Sequence, residues 1–262
     1  MNAPPRALPR AEIDGSALAP DARSGALLGG YGHFTAMQVR DGKVRGLDLH
    51  LARLDAANRE MFGEPLDGAL IRRYIRHALG DDVADASVRV AVRESADRPA
   101  VVVTIRPPGD MGSGPWRLRA VPYQRSLAHL KHASDFGQAY YQRQVLGEGY
   151  DEALLTGQDG LISEGSITNV VFYDGAAFVW PAAPALRGIT MQLIEQYQAR
   201  AGLASRREHV RVSDLPAFAA MFVTNSHGIA PVAQVDGLAL PVRRELTDLL
   251  AAAYESAGWD EI

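Results

Sequence analysis

The 262-residue chain has no cysteine, which excludes disulfides, thiolate nucleophiles, cysteine-ligated zinc and iron–sulfur clusters. Lysine is almost as scarce: of 27 basic residues only Lys43 and Lys131 are Lys, and the other 25 are Arg. No run approaches the roughly 18 consecutive apolar residues of a membrane span. The start, MNAPPRALPRAEIDG, lacks the apolar stretch of a signal peptide, so the expected location is cytoplasmic. A net charge of -4 provides no field for attracting nucleic acid or an anionic membrane, and neither partner is expected. Common motifs are missing too. There is no P-loop, HExxH or G-x-S-x-G, and GGYGHF (29–34) lacks the third glycine of a dinucleotide fingerprint. His129 and His132 stand three apart without a carboxylate partner set, so no metal site is expected.

With 47% hydrophobic and 22% charged residues, the composition is that of a soluble globular protein of two domains or one large one. Residues 1–10, rich in Pro and Arg, read as a disordered arm. Strands over 33–39 and 44–49 flank an Asp41-Gly42 turn. Helices fit 50–62, stopped by Gly63, and 66–79; a second hairpin fits 87–93 with 100–106. PPGDMGSGP (107–115) concentrates Pro and Gly and reads as an interdomain linker, dividing an N-terminal domain (11–106) from a C-terminal one (116–262). Beyond it, a helix fits about 134–146, strands fit 152–157, 160–165 and 169–181, and another strand fits 220–226. Helices fit 190–201, 214–220 and 241–257. Both domains mix α and β with antiparallel hairpins, an α/β fold of the α+β type.

Three segments can carry chemistry. A chain that uses Arg for positive charge needs Lys only where an amine must lose its proton and attack a carbonyl, which Arg cannot do. Lys43 occupies a hairpin corner where a solvated charge suffices; Lys131 lies in HLKHAS beside Leu130, and composition alone leaves a surface role open for it. Glu164 ends an apolar strand in LISEGSITNVVF. It reads either as an exposed carboxylate opening a turn or as the partner of a protonated ring nitrogen in a pyridine-type cofactor. Leu186-Arg187-Gly188-Ile189-Thr190 leads into a helix, either capped by Thr190 or offering backbone N–H groups to a phosphate. Thr224-Asn225-Ser226 adds small polar donors, and Arg53 offers a cation to the same anion.

Taken together, Lys131, EGSITNVVF (164–172), Gly188-Ile189-Thr190 and HLARL (50–54) have the order and spacing of the class IV aminotransferases. The chain resembles these fold type IV pyridoxal phosphate enzymes from about Tyr31 onward. They include branched-chain and D-amino-acid aminotransferases, R-selective amine transaminases and aminodeoxychorismate lyase. The resemblance implies a small N-terminal α/β domain, a larger C-terminal pseudo-barrel domain, pyridoxal 5'-phosphate as cofactor and a homodimer. It implies that Lys131 bonds the cofactor and later carries a proton, and that Glu164 holds the ring nitrogen protonated. Arg53, Gly188, Ile189, Thr190, Asn225 and Ser226 would bind the phosphate end.

Some positions depart from the family pattern. Branched-chain enzymes carry a Tyr five residues after the Lys, where this chain has Phe136. Phe34-Thr35 resembles aminodeoxychorismate lyase, in which a Thr assists proton transfer, which makes Thr35 a candidate catalytic residue and Phe34 a substrate contact. Arg93 aligns loosely with a substrate-carboxylate Arg of the D-amino-acid branch. The expected activity is transfer of an amino group between an amino acid or amine and a 2-oxo acid. The alternatives are a lyase releasing pyruvate and a non-catalytic binding protein on the same fold.

Overall fold

In a computed structural model of the protein, the described residues are 10–17, 30–95, 98–112 and 114–262. The arm expected over 1–10 lies outside them except for Arg10, where the first strand begins. The described residues divide into two compact units. One comprises those up to Gly109 with Leu130–Ser134 and Gly258–Ile262; the other comprises Asp110–His129 and Asp135–Ala257.

The first unit contains β1 (Arg10–Ile13), β2 (Ser16–Ala17), β3 (Gly32–Arg40), β4 (Lys43–Arg45), α1 (Leu47–Phe62), α2 (Gly68–Leu79), β5 (Ala86–Arg93) and β6 (Ala100–Arg106). β5 pairs antiparallel with both β3 and β6, and the period-two alternation sends one set of side chains inward. Met37, Val39, Val88, Val90, Val92, Val103 and Ile105 thereby pack against Leu47 and Leu54 of α1 and Ile71 and Ile75 of α2. Each such burial stabilises by roughly 1.5–3 kcal/mol. The strand expected over 44–49 stops at Arg45, because Gly46 turns left-handed (φ 67) and α1 starts at Leu47, whose N–H donates to Asp260 Oδ2. α1 ends at Gly63, also left-handed (φ 77), a conformation that costs glycine little.

The second unit contains β7 (Trp116–Val121), α3 (Phe136–Gly147), β8 (Glu152–Thr156), β9 (Ile162–Gly165), β10 (Asn169–Tyr173), β11 (Phe178–Pro181), α4 (Ile189–Ala201), β12 (Ser205–Glu208), β13 (Ala220–Asn225), β14 (Gly228–Val235), β15 (Leu238–Ala239) and α5 (Arg244–Glu255). The strands form one mixed sheet in the order β12-β11-β10-β13-β14-β7-β8-β9, with β15 on β14. The sheet curls: β9, at one end of the order, packs beside β10 and β11 without pairing to them. One face is filled by Leu118, Leu154, Ile162, Phe172 and Val223. The other carries Phe222 and Trp180 against Ile194 of α4 and Leu250 of α5. The helix expected over 214–220 is instead a 3-10 turn, Val212–Ala217, with Pro216 inside it; proline has no N–H to continue a helix, and Ala220 already belongs to β13.

The last strand, β16 (Trp259–Glu261), pairs antiparallel with β4. It therefore belongs to the first unit, as does Leu130–Ser134, whereas the sequence expectation assigned all of 116–262 to the C-terminal domain. Backbone pairing that is non-local in sequence overrides chain order in both places. Among the described residues, no helix is long and apolar enough to cross a membrane, and no group of three or more His, Asp or Glu could hold a metal ion.

Candidate active site

In the first unit, β4 is only three residues long and pairs with the Val39–Arg40 end of β3, leaving the edge at Gly32–Phe34 open. The Lys131 segment fills that edge. Phe34 N donates to Lys131 O (2.9 Å), Ala133 N donates to Gly32 O (2.7 Å), and His33 bridges to His132. Lys131 is thus fixed by backbone pairing, as a strand residue would be. Its Nζ lies 4.8 Å from the Phe34 ring centroid. The Arg89 guanidinium lies 3.6 Å from the same centroid, a cation–π contact. Phe34 faces Ala91, and Gly32 faces Arg93, so Arg89, Ala91 and Arg93 share one face of β5 beside the Phe34 ring.

Thr35, next in sequence, points the other way and is fully buried. The Phe34-Thr35 pair is therefore split across the two faces of β3. The Thr35 hydroxyl lies 2.7 Å from His50 Nδ1 and accepts a short hydrogen bond from Arg53 Nη2. His50 and Arg53 sit three residues apart on α1 and so share a side of that helix. Burial is the main cause that depresses the His50 pKa well below its ordinary value, followed by the positive charges of Arg53 and Lys131. Burial also lowers Arg53, to about 10, which leaves it protonated at neutral pH. Arg53 Nε is buried without a hydrogen-bond partner, and among the described residues no carboxylate pairs with this guanidinium.

In the second unit, Glu164 on β9 is buried and its two oxygens are held separately. Oε1 accepts from Arg125 Nη1 (3.1 Å) and Oε2 from Leu186 N (3.1 Å). Arg125 donates in addition to Ala128 O and Gln138 Oε1. The exposed turn-opening reading of Glu164 is thereby excluded. Arg125 carries no sequence signal that separates it from the other arginines.

The N-cap of α4 is Gly188, which makes no side-chain cap bond, and Thr190 lies inside the helix rather than capping it. Thr190 Oγ1 donates to Asn225 O (2.7 Å), joining the start of α4 to the end of β13. Gly188 is required by packing: a Cβ there would overlap Asn169 Oδ1 and lie 3.2 Å from its Cγ, while Asn169 Nδ2 donates to Leu186 O. Asn225 Oδ1 accepts from His227 N, which shapes the hairpin that carries Ser226. One residue earlier, the buried Thr224 Oγ1 has no hydrogen-bond partner among the described residues. Ile189 is buried at the first position of α4.

Sequence reading also missed Glu152. Fully buried on β8, it accepts from Ile167 N (2.7 Å) and Thr168 Oγ1 (2.8 Å) and lies 3.2 Å from Ser166 Oγ, and so ties down the loop that follows Glu164. Phe136, at the position of the family's Tyr, is 81% exposed.

Residues 32–235 match the family model described as Amino-transferase class IV, and the chain belongs to that family. A Rickettsia felis protein named as a probable branched-chain-amino-acid aminotransferase is 30% identical over 115 residues, which cover 43% of this chain and 39% of that protein. The chain thus matches less than half the length of this curated relative. A hypothetical aminotransferase from Mycobacterium tuberculosis, in its apo form, superposes with a TM-score of 0.84 at 21% identity, covering 95% of this chain and 98% of that one. The PLP-bound form of a hypothetical aminotransferase from the same organism gives 0.81 at 22% identity, with 94% and 98% covered. These likenesses establish the fold, a mixed α/β architecture with curled sheets of the fold type IV kind.

Proposed function

We propose that this chain is a pyridoxal phosphate-dependent aminotransferase that moves an amino group between an amino acid or amine and a 2-oxo acid. The observation that carries this reading is Arg53: a guanidinium with a buried Nε that has neither a hydrogen-bond partner nor a carboxylate among the described residues, acting on the same buried His50 as Lys131 does. A cation withdrawn from water needs an anion, and a phosphate monoester meets that need. The second unit, taken by itself, also carries donors that suit a phosphate. The uncapped N–H groups at Ile189 and Thr190 and the unpartnered Thr224 hydroxyl are donors suited to phosphate oxygens.

Pyridoxal phosphate, when bound, supplies an aldehyde that exchanges with amines and a ring that accepts electrons from a breaking bond. Lys131 would bond the aldehyde carbon and, released as an amine, move a proton through Nζ. Glu164, fixed by Arg125 and Leu186 N, would hold a proton on the ring nitrogen. Arg53, Gly188, Ile189, Thr190, Asn225 and Ser226 would orient the phosphate. Phe34, whose ring lies 4.8 Å from Lys131 Nζ, and Arg93, on the same face of the sheet as Phe34, would contact substrate. On this reading the partners are small molecules, an amino donor and a 2-oxo acid acceptor, and the enzyme works as a cytoplasmic homodimer.

The test is the visible spectrum of wild type and Lys131→Ala after adding pyridoxal phosphate, then D-alanine, L-glutamate or an R-amine in turn. The expected result is a band in wild type that the variant lacks, bleached by one donor and restored by a 2-oxo acid. Release of pyruvate with the band unchanged would instead mark a lyase. No band under any condition would leave only a binding protein on this fold.

A further inference from the structure

We infer that Thr35 and His50 are positioning residues that aim Arg53 at the cofactor phosphate, and that Thr35 takes no part in proton transfer; this rests on the function proposed above. The direction of each hydrogen bond follows from what each group can give. A guanidinium only donates, so in the Arg53–Thr35 contact the Thr35 oxygen accepts. The single Thr35 hydroxyl proton is then left for its other partner, His50 Nδ1, 2.7 Å away. His50 must accept there, which puts its own proton on Nε2 and leaves the ring neutral.

Each member is held from a different side. Thr35 is fixed by the β3 backbone, with its side chain on the core face. His50 and Arg53 are fixed by α1, one helical turn apart. The chain Arg53 to Thr35 to His50 therefore ends on a buried ring, and one of Arg53's two terminal nitrogens is used inside the protein. Nε remains buried and unpartnered, so its need is met only from outside this network. A neutral His50 adds no second cation to compete for the anion, and its low proton affinity, caused by burial and by Arg53 and Lys131, keeps it neutral across the working range.

The network also settles which face Thr35 serves. Phe34, whose ring lies 4.8 Å from Lys131 Nζ, is on the opposite face of β3, and the Thr35 hydroxyl proton is committed to a nitrogen acceptor. A hydroxyl so engaged has no proton to exchange with an amine unless the His50 bond is first broken.

The experiment compares binding of pyridoxal phosphate with that of pyridoxal, which lacks the phosphate, in wild type, Thr35→Val, Thr35→Ser and His50→Gln. Binding is followed by the visible band and by the 31P resonance of the bound phosphate. Thr35→Val is expected to weaken pyridoxal phosphate about 10-fold or more, the scale of a hydrogen bond to a charged group. Pyridoxal affinity should be unchanged, the 31P resonance should shift, and Thr35→Ser should restore both. His50→Gln should give a smaller loss of the same phosphate-selective kind. Equal weakening of both ligands would mean a merely structural Thr35 and overturn the inference. So would unchanged pyridoxal phosphate affinity with a slowed proton-transfer step. If wild type gave no band with either ligand, the proposed function itself would fall, and that outcome is distinct from the other two.

Discussion

Arg125 and Glu164 form a buried ion pair, with Nη1 and Oε1 3.1 Å apart and side chains only 4% and 6% exposed. Two charges withdrawn this far from water are tolerated because each has further partners: Leu186 N on the carboxylate, Ala128 O and Gln138 Oε1 on the guanidinium. Removing one partner strands the other. Arg125→Met is therefore expected to lower unfolding free energy in urea by about 3–5 kcal/mol. The double variant Arg125→Met with Glu164→Leu should recover most of that loss. A loss below about 1 kcal/mol for the single variant would show that the pair is already effectively solvated.

Gly188→Ala isolates a steric requirement from a conformational one. Gly188 has φ -61, which any residue adopts, so backbone strain is absent and only the collision with Asn169 remains. Asn169 would have to leave Leu186 O, whose neighbouring N–H holds Glu164. The expected cost is about 1–3 kcal/mol of stability, as for other overpacked sites, together with weaker binding of pyridoxal phosphate. Stability and cofactor affinity both unchanged would mean that the loop has room to move aside.

How much of this was legible in the sequence varied with the range of the interaction. The hairpin Ala86–Arg93 with Ala100–Arg106 and the end of α1 at Gly63 follow from local signals, alternating β-branched residues and a glycine stop. β12 and β14 were missed. Every residue of Ser205–Glu208 is exposed, so that edge strand has no apolar alternation, and Gly228–Val235 contains Gly228 and Pro231, which weaken a strand signal. Lys131 stood out by rarity, but its place at the edge of β3 depends on how short β4 is, a fact about pairing. Arg125 was hidden among many arginines. The separation of Phe34 from Thr35 was readable, since adjacent strand residues face opposite ways.

His33 should make the protein acid-labile. Burial is the dominant cause that lowers its pKa from 6.5 to about 4, opposed in part by the hydrogen bond to Asn58. The unfolded chain therefore takes up a proton first as pH falls, so this contribution to stability is present above about 6.5 and is lost progressively toward about 4. A shift of this size corresponds to about 3 kcal/mol. His33→Gln, which keeps a polar group for Asn58, should flatten the slope of unfolding free energy between pH 4 and 6.5. Equal slopes in variant and wild type would show that His33 gains its proton without cost.

Glu152 has the opposite sign. Burial raises its pKa from 4.5 to about 7, against the lowering effect of hydrogen bonds from Ile167, Thr168 and Ser166. The proton has a place to go: Ser166 Oγ lies 3.2 Å from Glu152 Oε1 and donates its own proton to Gln142 Oε1 at 2.7 Å, so a protonated Glu152 can donate to Ser166. Between pH 4.5 and 7 the native protein keeps a proton that the unfolded chain has released, so the stabilising contribution is complete below 4.5 and lost as pH rises through about 7. The loss is about 3 kcal/mol and would run against the His33 trend over the shared range, so wild type alone can look insensitive to pH. Glu152→Gln removes the titration while keeping an acceptor for Ile167 N. Urea unfolding at pH 5, 6, 7 and 8 should show the variant gaining on wild type with each step up to about 7 and then running parallel. A constant difference across the series would mean that its hydrogen-bond donors hold Glu152 ionised throughout.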